Sequence, residues 1–494
     1  MKPMSTFGLS LAAVIVASAL VACGGGSTTS SSSTPSAAAT PSAAGATTNT
    51  AVGSVTGFGS IVVDGIHYDD SVALVQRENA PGTTSPADAK LGHRVMVTFD
   101  SKNFASKIEL LPELEGPIAS IDSVKMRFVV NGLTVVINTD ASAGPATVFG
   151  GGYAGFADLK VTDTAEVHGL PKLDTLTGAA SNTYVVQATR IEKRTAPGPF
   201  LRAGGFVQNL TSSATATTFA IGGLTVDATG VTPKPAGVSL ANGQYVFVAS
   251  TQAVTTNTMK ATSIRVLDRK PANATDVVRL AGTVGQVNVT AVTFDLDGVT
   301  VNAKTASILP KGATPTNGAY ARASGTFDAK GELIATEVQL HDEAAPSVEV
   351  KGSVANFTSI SDFTVRGVPV DAIKATLTGC PATGIANNQF VLIHATVTLT
   401  SPKVQASTIA CTADAAVSVG VMIEREGVAS AIDTAGKALT LTMRGGAAIK
   451  VTWTSTTFFD GAVTAATVSG ATIEVEGVLA ADGSLAARKI RPHR

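Results

Sequence analysis

The chain has 494 residues, with 36 Lys and Arg against 37 Asp and Glu and a formal net charge of −1. That length exceeds what one hydrophobic core organises, so several domains are expected, and the lack of a basic excess argues against nucleic acid as a partner. Aromatic residues make up only 5% of the chain, with a single tryptophan, Trp453, while Ala, Val, Thr and 48 glycines favour short strands and tight turns over helices.

Lys2 gives a positive start, and Phe7 to Val21 form an apolar run of about 15 residues. That suits a signal-peptide core and falls short of the ~20 residues a spanning helix needs. The run ends in Leu20-Val21-Ala22-Cys23, followed by Gly24-Gly25-Gly26. This resembles a bacterial lipobox, in which residues 1–22 are removed and the Cys23 thiol carries a diacylglycerol. Each buried methylene adds ~0.8 kcal/mol, so several acyl chains together anchor a protein firmly. Gly24 rather than Asp after the cysteine points, in the Gram-negative pattern this resembles, to the outer membrane of the cell envelope. An uncleaved anchor or an ordinary secretory signal is the alternative. Residues 23–50 are otherwise almost entirely Gly, Ser, Thr, Ala and Pro, a composition that cannot bury enough apolar surface to fold. They read as a disordered tether spanning roughly 30 Å.

From Ala51 the chain repeats itself with a period of roughly 70 to 80 residues. Four landmarks recur in constant order. A Gly opens a β-prone segment, as at Gly53, Gly116, Gly205, Gly282, Gly352 and Gly427. An alternating hairpin follows, clearest in Phe128 to Val135 around Asn131-Gly132 and in Phe294 to Val301 around Asp297-Gly298. Phe219 to Val226 and Phe363 to Val370 share the form, and Ile61 to Ile66 and Leu439 to Val451 are looser copies. Asn-Gly and Asp-Gly supply the positive φ of a type I′ turn, and apolar residues at every second position face a core. Next comes a turn and another alternating strand, as in Asn242-Gly243-Gln244-Tyr245-Val246-Phe247-Val248. A closing strand carries Ala shortly before a branched apolar residue, as in Ala261-Thr262-Ser263-Ile264 and Ala335-Thr336-Glu337-Val338.

Each unit thus offers about five strands, which curl into a small barrel or sandwich to remove exposed edges. The expectation is an all-β tandem array of about six five-stranded, OB-like barrels at 51–114, 115–198, 199–273, 274–345, 346–418 and 419–494; a continuous β-solenoid is the competing architecture. The strand–Gly–strand hairpin, the turn–V-x-V-x-G strand and the A-x-x-I/V strand together resemble a bacterial family known as domain of unknown function 5666. The resemblance covers most of 51–494, best in the units beginning near Leu280 and Met422, while the first, second and fifth units depart from it through longer or irregular loops. It implies a β fold and no catalytic residues.

Chemistry is sparse. Cys380 and Cys411 are candidates for one disulfide closing a loop of about 30 residues, against two free thiols or metal ligands. The six histidines (His67, His93, His168, His341, His394 and His493) are scattered about one per unit and read as solvated or structural. Asp295-Leu296-Asp297-Gly298 looks like the start of a calcium loop, but the twelfth position is Ala306. Asp69-Asp70 and Glu474-Val475-Glu476 pose as paired carboxylates, the latter on the wet face of a strand. Tyr245, Tyr320 and Trp453 read as core residues, and the basic end, Arg488 to Arg494, as a solvated tail. No catalytic residue, metal or cofactor is expected. The expected protein is therefore a membrane-anchored, non-catalytic binding or structural lipoprotein of the bacterial envelope, meeting an envelope protein or polysaccharide through weak multivalent contacts. A hydrolase with a site between modules, or a pure spacer, are the other readings.

Overall fold

The computed structural model describes residues 48–70, 73–80, 82–174, 184–194, 200–267, 269, 271, 273–340, 348–411, 422–443, 446–459 and 463–492. The signal segment, the lipobox residues Leu20, Val21 and Ala22, Cys23 and nearly all of the linker lie outside them. Six modules follow at 49–110, 114–194, 201–266, 278–340, 348–411 and 422–492, and among the described residues their regular elements are strands apart from two short 3-10 turns, Ala141–Ala143 and Phe156–Asp158.

Module 4 gives the plan. Its first strand, Val278–Asn288, pairs antiparallel with Thr293–Leu296, which turns at Asp297-Gly298 into Val299–Asn302. That third strand runs parallel to the fifth, Leu333–Leu340; the fifth pairs with the fourth, Tyr320–Phe327, and the fourth closes onto the first. The order 1-2-3-5-4-1 is a closed, OB-like five-stranded barrel. Modules 2, 5 and 6 close by the same pairings. Module 1 closes between its third and fifth strands through the single bridge Asp69–Phe104. In module 3 the first strand breaks at Val207 and the fifth between Met259 and Ile264.

The recurring residues have distinct jobs. Phe128, Phe219, Phe294 and Phe363 hold the same place in the second strand, each no more than 2% exposed, and Ile61 and Leu439 fill it in modules 1 and 6. The recurring first-strand Gly exists because the hairpin turn folds back over it. A Cβ on Gly53 would sit 2.0 Å from Asp64 Oδ2, one on Gly116 2.3 Å from Asn131 Oδ1, and one on Gly352 2.9 Å from Arg366 Cγ. These are all the residue that opens the turn, with φ near +50°. Landmarks one and two are thus two halves of one contact. The glycine of the fourth strand answers a bulge in its partner: at Gly325 a Cβ would meet Ile334 O at 2.1 Å, where the register slips between Ser324 and Gly325.

The barrels are closed individually yet interlocked, more tightly than a string of separate units. Thr50 to Val52 of module 1 pair parallel with Val278 to Leu280 of module 4, and Gly57-Phe58 with Glu349-Val350 of module 5. Leu114-Glu115 of module 2 pair antiparallel with Arg202-Ala203 of module 3. Apolar interiors run together accordingly: one cluster joins modules 1 and 5, another modules 2 and 3, while module 6 keeps its own around Trp453. Ordered structure also begins inside the stretch read as linker, because Asn49 Oδ1 accepts the Val277 amide at 2.8 Å and Thr48 bonds the Asp276 carboxylate.

Candidate functional site

A cleft of about 810 Å³ lies where modules 2, 3 and 4 meet. Modules 3 and 4 contribute matching positions to it. In each, the first strand bulges through a left-handed residue, Asn209 (φ 51°) or Gln286 (φ 49°). In each, the turn before the fourth strand sends an Asn side chain back to the bulge: Asn242 Oδ1 accepts the Leu210 amide at 2.9 Å, and Asn317 Oδ1 accepts the Val287 amide at 3.0 Å. Because the oxygen of each amide is committed to a backbone N–H, its NH₂ end is left as the donor toward the opening.

The cleft's other walls are aromatic and acidic. Tyr184 of module 2 packs on Phe206 at 5.2 Å, Phe206 on Tyr245 at 5.0 Å, and Tyr245 on Phe247 at 5.7 Å, with the Arg269 guanidinium 4.9 Å over Tyr245. Gln286 bonds the Tyr184 phenol, whose pKa burial and the nearby Asp295 push up. Asp295, itself raised by burial, accepts one hydrogen bond from Thr300 Oγ1 at 3.1 Å. Lys172 is bound to Gln187 Oε1 at 2.9 Å, and burial lowers its pKa. Thr283 Oγ1 is buried in the wall with no hydrogen-bond partner. Sequence reading took Tyr245 as a core residue, which it is at 5% exposed; it did not find Tyr184, Asp295 or the two Asn-Gly turns as a group, since they come from three modules.

A second cluster lies between modules 1 and 2. His93 and His168, read as scattered, stack at 4.3 Å, and with Glu166 they offer ligand atoms within 4.8 Å of one another. The composition is that of a metal site; the hydrogen bonding is not. His168 Nδ1 accepts the Arg94 amide at 3.2 Å and His93 Nδ1 accepts the Lys90 amide at 3.1 Å. Each neutral ring must therefore carry its proton on Nε2, where it faces Glu166 at 3.0 Å or Glu192 at 3.4 Å. A ligating histidine needs that lone pair free and its other nitrogen donating, so two stacked His–Glu dyads hold the interface instead. Burial, the largest cause, pushes His93 down to about 3. Burial works to raise Glu166, but the His168 bond and Arg77 outweigh it and hold the carboxyl down at about 2. His67 meets Glu349 at the surface and His394 lies opposite Glu349 on the fourth strand of module 5, while His341 and His493 lie outside the described residues.

Two sequence expectations are corrected at the junction of modules 1, 5 and 6. The face of Glu474 and Glu476 is not wet, and Lys489 and Arg491 are not a solvated tail: Glu474, Lys489 and Arg491 are 6%, 1% and 4% exposed. Arg491 Nε donates to Glu474 at 2.6 Å, Lys489 reaches Asp70 Oδ2 at 3.6 Å, and Arg366 lies 3.8 Å from Glu476. The closing strand is an interface because module 6 docks with it on module 1. Asp70, half of the other acidic pair, is a partner in that contact and also accepts the Ile61 amide at 3.2 Å. Cys380 and Cys411 are joined as a disulfide that fastens the third-to-fourth loop of module 5 to its fifth strand.

Comparison with curated proteins finds no match. Among solved structures the chain is similar to one titled "drosophila Unr CSD456", at 12% identity over 42% of this chain and 96% of that one, with a TM-score of 0.11, too low to bear on the fold drawn above. Residues 115–192, 281–339 and 426–491, lying in modules 2, 4 and 6, match the family model described as Domain of unknown function (DUF5666), which is consistent with tandem DUF5666-like repeats.

Proposed function

We propose that this is an exported, lipid-anchored, non-catalytic protein of the bacterial envelope, whose six barrels form a rigid binding body on an N-terminal tether. The observation that carries the reading is where the reactive groups are spent. The histidines at the module 1–2 junction and the carboxylates around Arg94, Arg366 and Lys489 are committed to inter-module bonds, which is how a scaffold uses them and how a hydrolase does not. The anchor rests on the sequence around Cys23, and module 1, which follows the tether directly, touches modules 2, 3, 4, 5 and 6 through ion pairs or hydrogen bonds. Growth with a radiolabelled or alkyne-tagged fatty acid tests the anchor. The wild-type protein takes up label and sediments with membranes, and Cys23→Ala takes up none and moves to the soluble fraction. A Cys23→Ala variant still labelled and still sedimenting would end this reading.

A further inference from the structure

We infer that the cleft between modules 2, 3 and 4 is a binding site for an uncharged oligosaccharide. This goes beyond the scaffold reading and does not depend on the anchor. The volume of about 810 Å³ is in the range of ligand sites, about 300 to 1,000 Å³.

The chemistry of the walls selects the class. A sugar presents hydroxyls, each both donor and acceptor, and patches of C–H that pack on aromatic faces. The cleft supplies oriented NH₂ donors from Asn242 and Asn317, a carboxylate acceptor with spare lone pairs in Asp295, a phenol and amide in Tyr184 and Gln286, and an orphaned hydroxyl in Thr283. Tyr184 is half-buried, its ring braced by Phe206, which leaves an aromatic surface at the opening. A polyanion is the wrong occupant. One carboxylate without a cationic partner, Asp295, faces one lysine, and that lysine is bound to Gln187 and disfavoured as a cation by burial; Asp297 is already paired with the buried Arg94 and Arg269. A phosphodiester chain needs the reverse balance. The matching contributions of modules 3 and 4 place two similar donor positions in one cleft, as a ligand made of repeating units requires.

Titration calorimetry of the full chain with maltohexaose, cellohexaose and chitohexaose, and with oligothymidylate and a heparin hexasaccharide as anionic probes, tests this. At least one uncharged hexasaccharide binds, and Tyr184→Ala and Asp295→Asn each weaken it tenfold or more with the thermal midpoint kept; the anionic probes do not bind. Asp295→Asn is isosteric and half-buried, so it carries the test if Tyr184→Ala fails to fold. No heat with any uncharged probe, equal affinity in a folded variant, or binding of the anionic probes alone would each overturn the assignment. None of these outcomes bears on Cys23, whose labelling reports the anchor separately.

Discussion

Asp64 and Asp297 open the same hairpin turn in modules 1 and 4, and they dock the two modules reciprocally. Asp64 reaches the first residue of module 4's fourth strand, accepting Tyr320 OH at 2.6 Å, while its backbone oxygen takes Arg322. Asp297 reaches the first residue of module 1's fourth strand, accepting Arg94 at 3.0 Å, and also takes Arg269 at 2.9 Å. The geometry is repeated, and the electrostatics are not. Asp64 is met mainly by neutral donors, and burial raises its pKa against them. Asp297 is met by two buried guanidiniums, 3% exposed in the case of Arg94. One fold position thus gives a cheap contact in one direction and a costly, specific one in the other. A polar link of the second kind adds specificity only while it is complete, because a lone buried charge is strongly unfavourable.

Asp297→Asn breaks the comparison most severely. It strands Arg94 and Arg269 together, with Ala281 O as the remaining strong acceptor for Arg94. Losing one partner of a buried pair costs about 3–5 kcal/mol. The expected result in urea unfolding is a large drop in midpoint, with early exposure of the module 1–4 contact seen as a second transition. A loss below about 1 kcal/mol would mean that solvent reaches these arginines and that the docking is not electrostatic.

This contrast separates what sequence reading can reach from what it cannot. The hairpin, its Asp-Gly turn and the apolar alternation are local, so Phe294 in the core and Asp297 in a turn were legible from spacing alone. So were the number of modules and their strand content. That Gly282 opens the strand because the turn lies over it is a through-space reason, yet it repeats in modules 1, 2, 4 and 5 and so left a periodic trace. The partners of Asp297 repeat nowhere: Arg94 stands where module 4 has Tyr320 and module 3 has Tyr245. Interfaces between unlike modules carry no period, which is why Glu474, Glu476, Lys489 and Arg491 read as surface and why the three-module cleft was invisible. Two stacked histidines separated by 75 positions in the chain leave no pattern at all.

Glu113 sharpens the comparison, because it sits on the Asp297 side. It lies in the connection after module 1, its Oε1 buried and without a hydrogen-bond partner, facing Asp297, Arg94, Arg269 and Arg202. Burial, helped by Asp297 and opposed by the three arginines, raises it to about 8. Between the unfolded value of 4.5 and about 8 the folded state keeps a proton that the unfolded state has lost. Its contribution is therefore full below pH 4.5 and is lost as pH climbs to about 8, on the order of 5 kcal/mol for a fully buried group. His93 slopes the other way: held at about 3 against 6.5, it favours folding above pH 6.5 and loses that as pH falls. Glu113→Gln should remove only the alkaline decline, so the variant gains on wild type at pH 8 and matches it near pH 4.5. Parallel stability curves for the two proteins across that range would show that Glu113 ionises freely.

Tyr320→Phe tests the cheaper half and gives the smallest effect. The ring stays in place, 4% exposed, so what is lost is chiefly the bond to Asp64 Oδ1, at about 1–2 kcal/mol. That bond also lowers the Asp64 pKa, against a larger rise from burial. Without it the folded-state pKa rises further, and the added loss appears above the unfolded carboxylate range and fades in acid, so the variant should trail wild type more at pH 7 than at pH 3. A cycle with Asp64→Asn, whose side chain keeps one acceptor for the two donors Ser54 N and Tyr320 OH, isolates the pair; a coupling of about 1 kcal/mol is expected. Zero coupling, with Tyr320→Phe as stable as wild type at both pH values, would assign the docking of modules 1 and 4 to Asp297 and the paired first strands alone.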